Sequence, residues 1–321
     1  MNRKEFLNVI AALGGASLLP ASLMEAVAGP VPAKKDRRRM DPSKVVLLSD
    51  IHISGEFKED GTPIKYPYNP TSLNLRIAEI LEMRPLPANV IVFGDVAWDY
   101  GLEDDYRYAK ELLSPLEKAG IKVTLALGNH DRRAPFFKVF PEYAEKTPVP
   151  GRAVSVVSLP DVDIVMLDSL AELPDLKPKQ KTTVSGELDA AQVEWLRSYL
   201  SEGTRPVIIG AHHTLQDMPD LSKLIIESGR VAGYIYGHKH VWNKVASILR
   251  PRKPMHMLPT VGLPATFYGD IGFVTMQTDA EKAVVEFTSK GFWWPQPVAE
   301  PPKEWLQREK DLQAEKVTIL F

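Results

Sequence analysis

Residues 123–131 read VTLALGNHD: five residues that suit a strand, then at once Gly128, Asn129, His130 and Asp131. A near-continuous apolar run fits a strand covered on both faces, as in a parallel sheet. The polar residues then fall at its carboxyl end, where open α/β sheets bind their ligands. Two earlier runs share this design. Residues 45–49 lead into Asp50-Ile51-His52, and residues 90–93 lead into Gly94-Asp95. Between the first two strands, Leu73, Ile77, Ile80 and Leu81 recur at helical spacing, and residues 102–119 suit a second helix packed on a sheet. The order β-α-β-α-β predicts α/β architecture.

Beyond residue 150 the texture changes. Residues 153–159 and 162–167 flank Pro160-Asp161 as a hairpin would, and Asp189 is placed to cap a helix through Trp195, Leu196 and Leu200. A strand at 207–209 ends in His212-His213, a helix covers 221–227, and a strand at 231–236 ends in Gly237-His238-Lys239-His240. Residues 243–289 suggest three or four antiparallel strands. With no internal repeat and no clear boundary, one domain is expected over 41–290, followed by a proline-punctuated tail, 291–321, that includes Phe292-Trp293-Trp294 and packs back on the domain.

Five strands therefore end in metal-capable side chains, and six of the seven histidines lie among them. Singly, each motif has an ordinary explanation. Gly-Asp is a common turn, Asn129 tolerates a left-handed conformation, Asp50 can cap a following segment, and His238 and His240 suit a solvated strand end. Together, in this order and at strand ends, they point to one site. The chain has no cysteine, so disulfides, thiolate catalysis and Cys-zinc sites are excluded. Its 39 basic and 41 acidic residues leave no charge excess that would suit a nucleic-acid polymer.

The first forty residues differ from the rest. A charged start, Arg3-Lys4, precedes an apolar stretch over residues 7–23, a small-residue site at Ala26-Val27-Ala28, and a basic run over 34–39. This predicts an export signal over 1–28 and a linker over 29–40. Arg3-Lys4-Glu5-Phe6-Leu7 is similar to a twin-arginine signal with Lys as its second residue. A general secretory signal, an uncleaved anchor and an amphipathic helix are the alternatives. An exported, periplasmic protein is the expectation. No later stretch approaches the ~20 apolar residues of a membrane span.

Taken together, Asp50-x-His52, Gly94-Asp95, Gly128-Asn129-His130-Asp131, His212 and Gly237-His238-x-His240 resemble the motif set of the calcineurin-like metallophosphoesterases, over residues 45–242. The resemblance implies two packed mixed β-sheets flanked by helices, an αββα sandwich with the site at the strand ends. It also implies two divalent ions, for which carboxylate, amide and imidazole ligands suit Mn, Fe, Zn or Co. Asp50, His52 and His240 would hold one ion, Asn129, His212 and His238 the other, and Asp95 would bridge them. A water activated between the ions would then attack a small phosphate ester without a phosphoenzyme. His130 is expected to stand over the substrate as a catalytic residue, with Asp131 orienting its ring or capping the loop.

His213 stands where many family members reach a proline one residue later. It is expected behind the ligands or facing the substrate. His256 is expected in the core of a later strand. Substrate selection falls to loop residues: Trp98, Asp99 and Tyr100, Arg132 and Arg133 as phosphate grips, and the stretches 53–70 and 134–152. The motifs from Asp50 to Asp131 resemble the cyclic-nucleotide phosphodiesterase branch, which favours a phosphodiester substrate. A phosphomonoesterase or nucleotidase is the alternative, and a non-catalytic scaffold is the reading from a different class.

Overall fold

The computed structural model describes residues 39–59, 68–177, 179–250, 256–293, 303, 307, 310–311 and 316–321. The expected export signal over 1–28 and all but the end of the linker lie outside the described residues, as does part of the 53–70 loop.

Strands β1 (Met40–Leu48), β2 (Leu86–Val92) and β3 (Lys122–Leu125) run parallel, joined through helices α1 (Tyr68–Glu82) and α2 (Glu103–Lys118). Short helices α3 (Arg133–Val139) and α4 (Pro141–Lys146) follow, then the hairpin β4 (Ser155–Ser158) and β5 (Asp163–Met166). Helix α5 (Ala190–Glu202) begins where expected, because the Asp189 carboxylate accepts from Gln192 N at 2.9 Å. Strand β6 (Val207–Ala211), α6 (Pro219–Glu227), β7 (Val231–Tyr236), β8 (Asn243–Arg250), β9 (His256–Gly262), β10 (Gly269–Thr278), β11 (Lys282–Trp293) and β12 (Lys316–Leu320) complete the order. Among the described residues no helix is long and apolar enough to cross a membrane.

The strands form two six-stranded mixed sheets, ordered β12-β11-β10-β1-β2-β3 and β4-β5-β6-β7-β9-β8. Alternation along each strand explains the layering, since successive side chains point to opposite faces. Val45 and Leu47 enter the core between the sheets with Ile91, Phe93, Ile164, Met166, Ile208 and Ile235. Their neighbours Val46, Leu48, Val90 and Val92 turn outward to Leu73, Ile77, Tyr106 and Leu116 of α1 and α2. On the far side, Val165, Val207, Ile209 and Tyr234 meet Leu196, Leu200, Leu221 and Leu224 of α5 and α6. The result is the α/β sandwich of four layers that the motif set implied.

Two details depart from the sequence reading. The region 243–289 is not a single antiparallel unit: β9 pairs parallel to β7, whereas β10 and β11 cross to the first sheet, with β10 antiparallel to β1. The boundary expected at residue 290 falls inside β11, and β12 from the presumed tail is the edge strand of that sheet. Val317 and Ile319 of β12 are buried between the sheets, so this segment is core, not a covering tail. Phe292 and Trp293 close β11, while Trp294 lies outside the described residues. His256 opens β9, and its side-chain surroundings also lie outside them.

Candidate metal centre

Parallel strands in level register deliver their carboxyl ends to one edge. Leu48 pairs with Val92, Val92 with Leu125, and Ala211 with Tyr236. Beyond the strands the loops remain zipped, with Asp50 N bonded to Gly94 O at 3.2 Å and His52 N to Asp95 O at 2.9 Å. Gly237 N bonds His212 O at 3.0 Å in the second sheet.

At this edge the backbone turns sharply. Asp50, His52, Asp95, His238 and His240 all have positive φ, between 44° and 66°. For side chains other than glycine this left-handed region is uncommon and costs about 1–2 kcal/mol per residue. Five such residues around one point amount to strain concentrated at a functional site. Glycines supply the close approach. A Cβ on Gly94 would meet the His212 ring at 2.7 Å, and one on Gly237 would collide with Ser49 Oγ and reach Asp50 Oδ2 at 3.0 Å.

The expected ligands come together in two groups. In the first, His240 Nε2 lies 3.1 Å and His52 Nε2 4.0 Å from Asp50 Oδ1. In the second, His212 Nε2 lies 3.2 Å and His238 Nδ1 2.8 Å from Asn129 Oδ1. Asp95 Oδ2 stands between them, 3.5 Å from His52 Nε2 and 3.2 Å from His212 Nε2. Two atoms bound to one ion at about 2.1 Å lie no more than about 4.2 Å apart, and these separations obey that limit. Asp50 Oδ1 and His52 Nε2 are buried with no hydrogen-bond partner, as atoms reserved for a cation would be. The donor set of carboxylates, an amide oxygen and imidazoles therefore fits a pair of first-row divalent ions.

The remaining lone pairs and ring protons are used to aim the ligands. Asp50 Oδ2 accepts from His238 N at 3.1 Å and from Ser49 Oγ, and Asp95 Oδ1 accepts from His130 N at 2.8 Å. His52 Nδ1 donates to Trp98 O at 3.1 Å and His212 Nδ1 to Phe93 O at 2.7 Å, which turns each Nε2 toward the centre. Charge follows the same plan. Burial opposes ionisation of Asp50, yet His240 beside it holds the carboxyl at about 2. Burial lowers His52 to about 4, whereas at His212 the Asp95 carboxylate overcomes burial and lifts the ring to about 9.

His130 stands beside this centre, a quarter exposed, its ring 4.7 Å from that of His52. Its Nδ1 is 2.8 Å from Trp98 O and 3.2 Å from Asp99 Oδ1. Of the two roles expected of it, Asp131 shows loop capping in place of orienting the His130 ring. It is fully buried, and its two oxygens accept from Val96 N, Ala97 N, Gly128 N and Tyr106 Oη at 2.8–3.1 Å. It clamps the loops after β2 and β3 together, and Asp99, from the loop, takes the position beside the His130 ring.

Arg132 and Arg133 are likewise not phosphate grips. Arg132 holds the carbonyls of Lys177 and Gln180, and Arg133 forms a two-pronged pair with Asp168 at 2.8 and 2.9 Å and reaches Glu172. Both brace the loop that runs from β5 to α5, and Thr182 Oγ1 on that loop donates to Asn129 O at 2.6 Å. His213 is wholly buried, with Nδ1 2.8 Å from Ser169 Oγ and its ring against those of His212 and His238. Its Nε2 has no hydrogen-bond partner, and its ligand atom lies within 4.8 Å of those of His212 and His238, so it stands among the candidate ligands and does not face solvent. Lys239 is exposed, turned away between its two histidines. Sequence reasoning missed Ser49, the loop lysine Lys181 that pairs with Asp99 at 2.7 Å, and Phe267 and Tyr268. The last two follow β9, a further strand ending at this edge, but they bear none of the residue types that mark a metal site.

Comparison with known proteins agrees with this geometry. The family model described as calcineurin-like phosphoesterase matches residues 43–242. A probable cyclic nucleotide phosphodiesterase of Rhodopseudomonas palustris is 30% identical over 213 residues, spanning 61% of this chain and 71% of that protein. A crystal structure of a dimetal phosphatase from Danio rerio superposes with a TM-score of 0.61 at 14% identity, covering 88% of this chain and 100% of that one. The match covers every strand end that contributes a ligand, and the chain belongs to the calcineurin-like phosphoesterase family of metal-dependent phosphoester hydrolases.

Proposed function

We propose that this chain hydrolyses phosphodiesters in preference to monoesters, and does so outside the cytoplasm. The observation that carries the diester reading is the commitment of Arg132 and Arg133 to the β5–α5 loop. A monoester dianion presents a third terminal oxygen and a second charge, for which a guanidinium fork is the matching partner. With the Arg133 fork paired to Asp168 and Arg132 anchored to two loop carbonyls through Nη2, a diester monoanion suits the site better. The Rhodopseudomonas palustris relative, described as a probable cyclic nucleotide phosphodiesterase, supports the same choice.

Asp50, His52 and His240 would hold one ion, and Asn129, His212 and His238 the other, with Asp95 shared. Two divalent ions, when bound, supply Lewis acidity to the phosphoryl oxygens and to the attacking water. The chain contributes the rest. Trp98 O accepts from His130 Nδ1, which leaves Nε2 as the free ring nitrogen. When the ring carries a second proton there, Nε2 is the atom that would deliver it to the departing ester oxygen, leaving the ring neutral with its proton on Nδ1. The clamp of Asp131 on Val96, Ala97 and Gly128 keeps Asp95 and Asn129 in mutual register. Assayed with Mn present, bis-p-nitrophenyl phosphate should be cleaved with a higher kcat/KM than p-nitrophenyl phosphate. The reverse order would overturn the diester reading.

Export rests on residues 1–40, with their charged start, apolar stretch and small-residue site. A reporter fused after residue 40 should leave the cytoplasm, and its retention there would refute this part.

A further inference from the structure

One flank of the centre is aromatic. Phe267 sets its ring edge-on to His52, with centroids 5.4 Å apart, and lies 6.3 Å from Trp98. Tyr268 stands edge-on to His240 at 5.2 Å. All three are half-buried, neither core nor fully solvated. They come from loops far apart in sequence, after β2 and after β9, yet converge on two imidazoles of the same metal group.

This flank is held firmly. Trp98 O accepts from both His52 and His130. The loop before β10 is tied to α1, since Ser72 Oγ donates to Thr266 O, and to the β7 motif, since Asp270 N donates to His240 O at 2.9 Å. Asp270 Oδ2 accepts from Trp242 N at 2.8 Å, and Gly269, at φ +80°, leaves no room for a Cβ against His240 O. Ordering these rings on binding therefore needs little further loss of freedom.

His52 is the common neighbour: its ring touches His130 on one side and faces Phe267 and Trp98 on others. A group protonated by His130 as it departs therefore departs along this ledge. From this juxtaposition we infer that Trp98, Phe267 and Tyr268 form a subsite for a leaving group carrying a planar aromatic ring, as an aryl or nucleoside ester does. Stacking on such rings is tolerant of ring identity, so the subsite selects a class and not one base. The inference rests on the phosphoester reading above, but not on the preference for diesters.

The test uses ligands that cannot be turned over. Benzylphosphonate reproduces the reach of an aryl phosphate, and butylphosphonate matches its phosphonate without a ring. Calorimetry on the Mn-loaded chain should show benzylphosphonate binding about tenfold more tightly. In Phe267→Ala the ratio should fall to near one with metal content equal to the parent's, and Phe267→Trp should restore it. A parent ratio near one, or a ratio unchanged in Phe267→Ala, would overturn the subsite. Because turnover is not measured, a chain that prefers monoesters can still show the ledge, and a diesterase can lack it.

Discussion

Replacing Gly128 by alanine adds one methyl group where the loops after β2, β3 and β6 crowd together at the centre. A Cβ there would stand 2.6 Å from Asp95 N and 2.7 Å from His212 Cδ2, and nearer still to Asp95 Oδ1. Ordinary contact begins near 3.4 Å. Asp95 and His212 must therefore separate from Gly128 by ~0.7 Å or more, and displacements approaching 1 Å cost about a hundredfold in rate. Neither neighbour has a free direction, because His212 is pinned to Phe93 O and Asp95 to His130 N. The φ of Gly128 lies outside the left-handed region, so the loss is steric and not conformational. Overpacking of this kind destabilises by about 1–3 kcal/mol. We expect Gly128→Ala to lose about a hundredfold in kcat/KM, with reduced metal content by elemental analysis and a lower melting temperature. Full metal content with activity within about threefold of the parent would refute the reasoning.

Four further outcomes follow from the same structure. His130→Ala should lower turnover by about 10²–10⁴ while metal content persists, and loss of both metals would remove His130 from its catalytic role. His238→Ala and His240→Ala should each weaken a different ion, measured by competitive chelation; loss of the same ion in both would contradict the two groups. Burial raises Asp105 to about 6, so its carboxylate is a liability above that pH and neutral in the folded chain below it. Folded pKa above unfolded means stability is gained as pH falls from 6 toward 4. Asp105→Asn, keeping the acceptor for Gly55 N, should therefore raise the melting temperature at pH 8, by up to about 3 kcal/mol in stability, and hardly at all at pH 4. Ile319→Ala, at a buried β12 position touching Gly233, should cost about 2–4 kcal/mol, read from thermal or denaturant melts; a loss under about 0.5 kcal/mol would show that β12 is peripheral.

The layers were legible because apolar runs at residues 45–49, 90–93 and 123–127 alternate in which face they bury, and hydropathy records burial directly. The ligand set was legible for a similar reason: metal-capable side chains are few, and their position after strands is a linear property. The two roles open to Asp131 could not be separated in the sequence, because a carboxylate that serves four backbone and hydroxyl donors has the same letter as one that orients a ring. Only the location of its donors tells the two apart. Arg132 and Arg133 were misread, since their partners lie on a loop some forty positions away. The edge strand β12 was hidden by the charged, proline-rich stretch before it, and its pattern of exposed and buried residues, Lys316 to Leu320, is too short to stand out. Positive φ at five ligands has no letter at all, because nothing about Asp or His announces a left-handed turn.

The placement of β1 has a consequence for how the protein is made. Val45 pairs with Asn89 on one side and with Met276 on the other. A chain emerging from the ribosome carries all the ligands once His240 is out, but the strand that flanks β1 and the Asp270 contacts that hold the His240 segment are still to be synthesised. Pairing across such a separation is slow and comes late. The His240 segment is therefore held in its final place only after β10 has been made. Since these ligand types discriminate weakly among first-row ions, the compartment in which β10 finally docks would set which ion a completed centre meets.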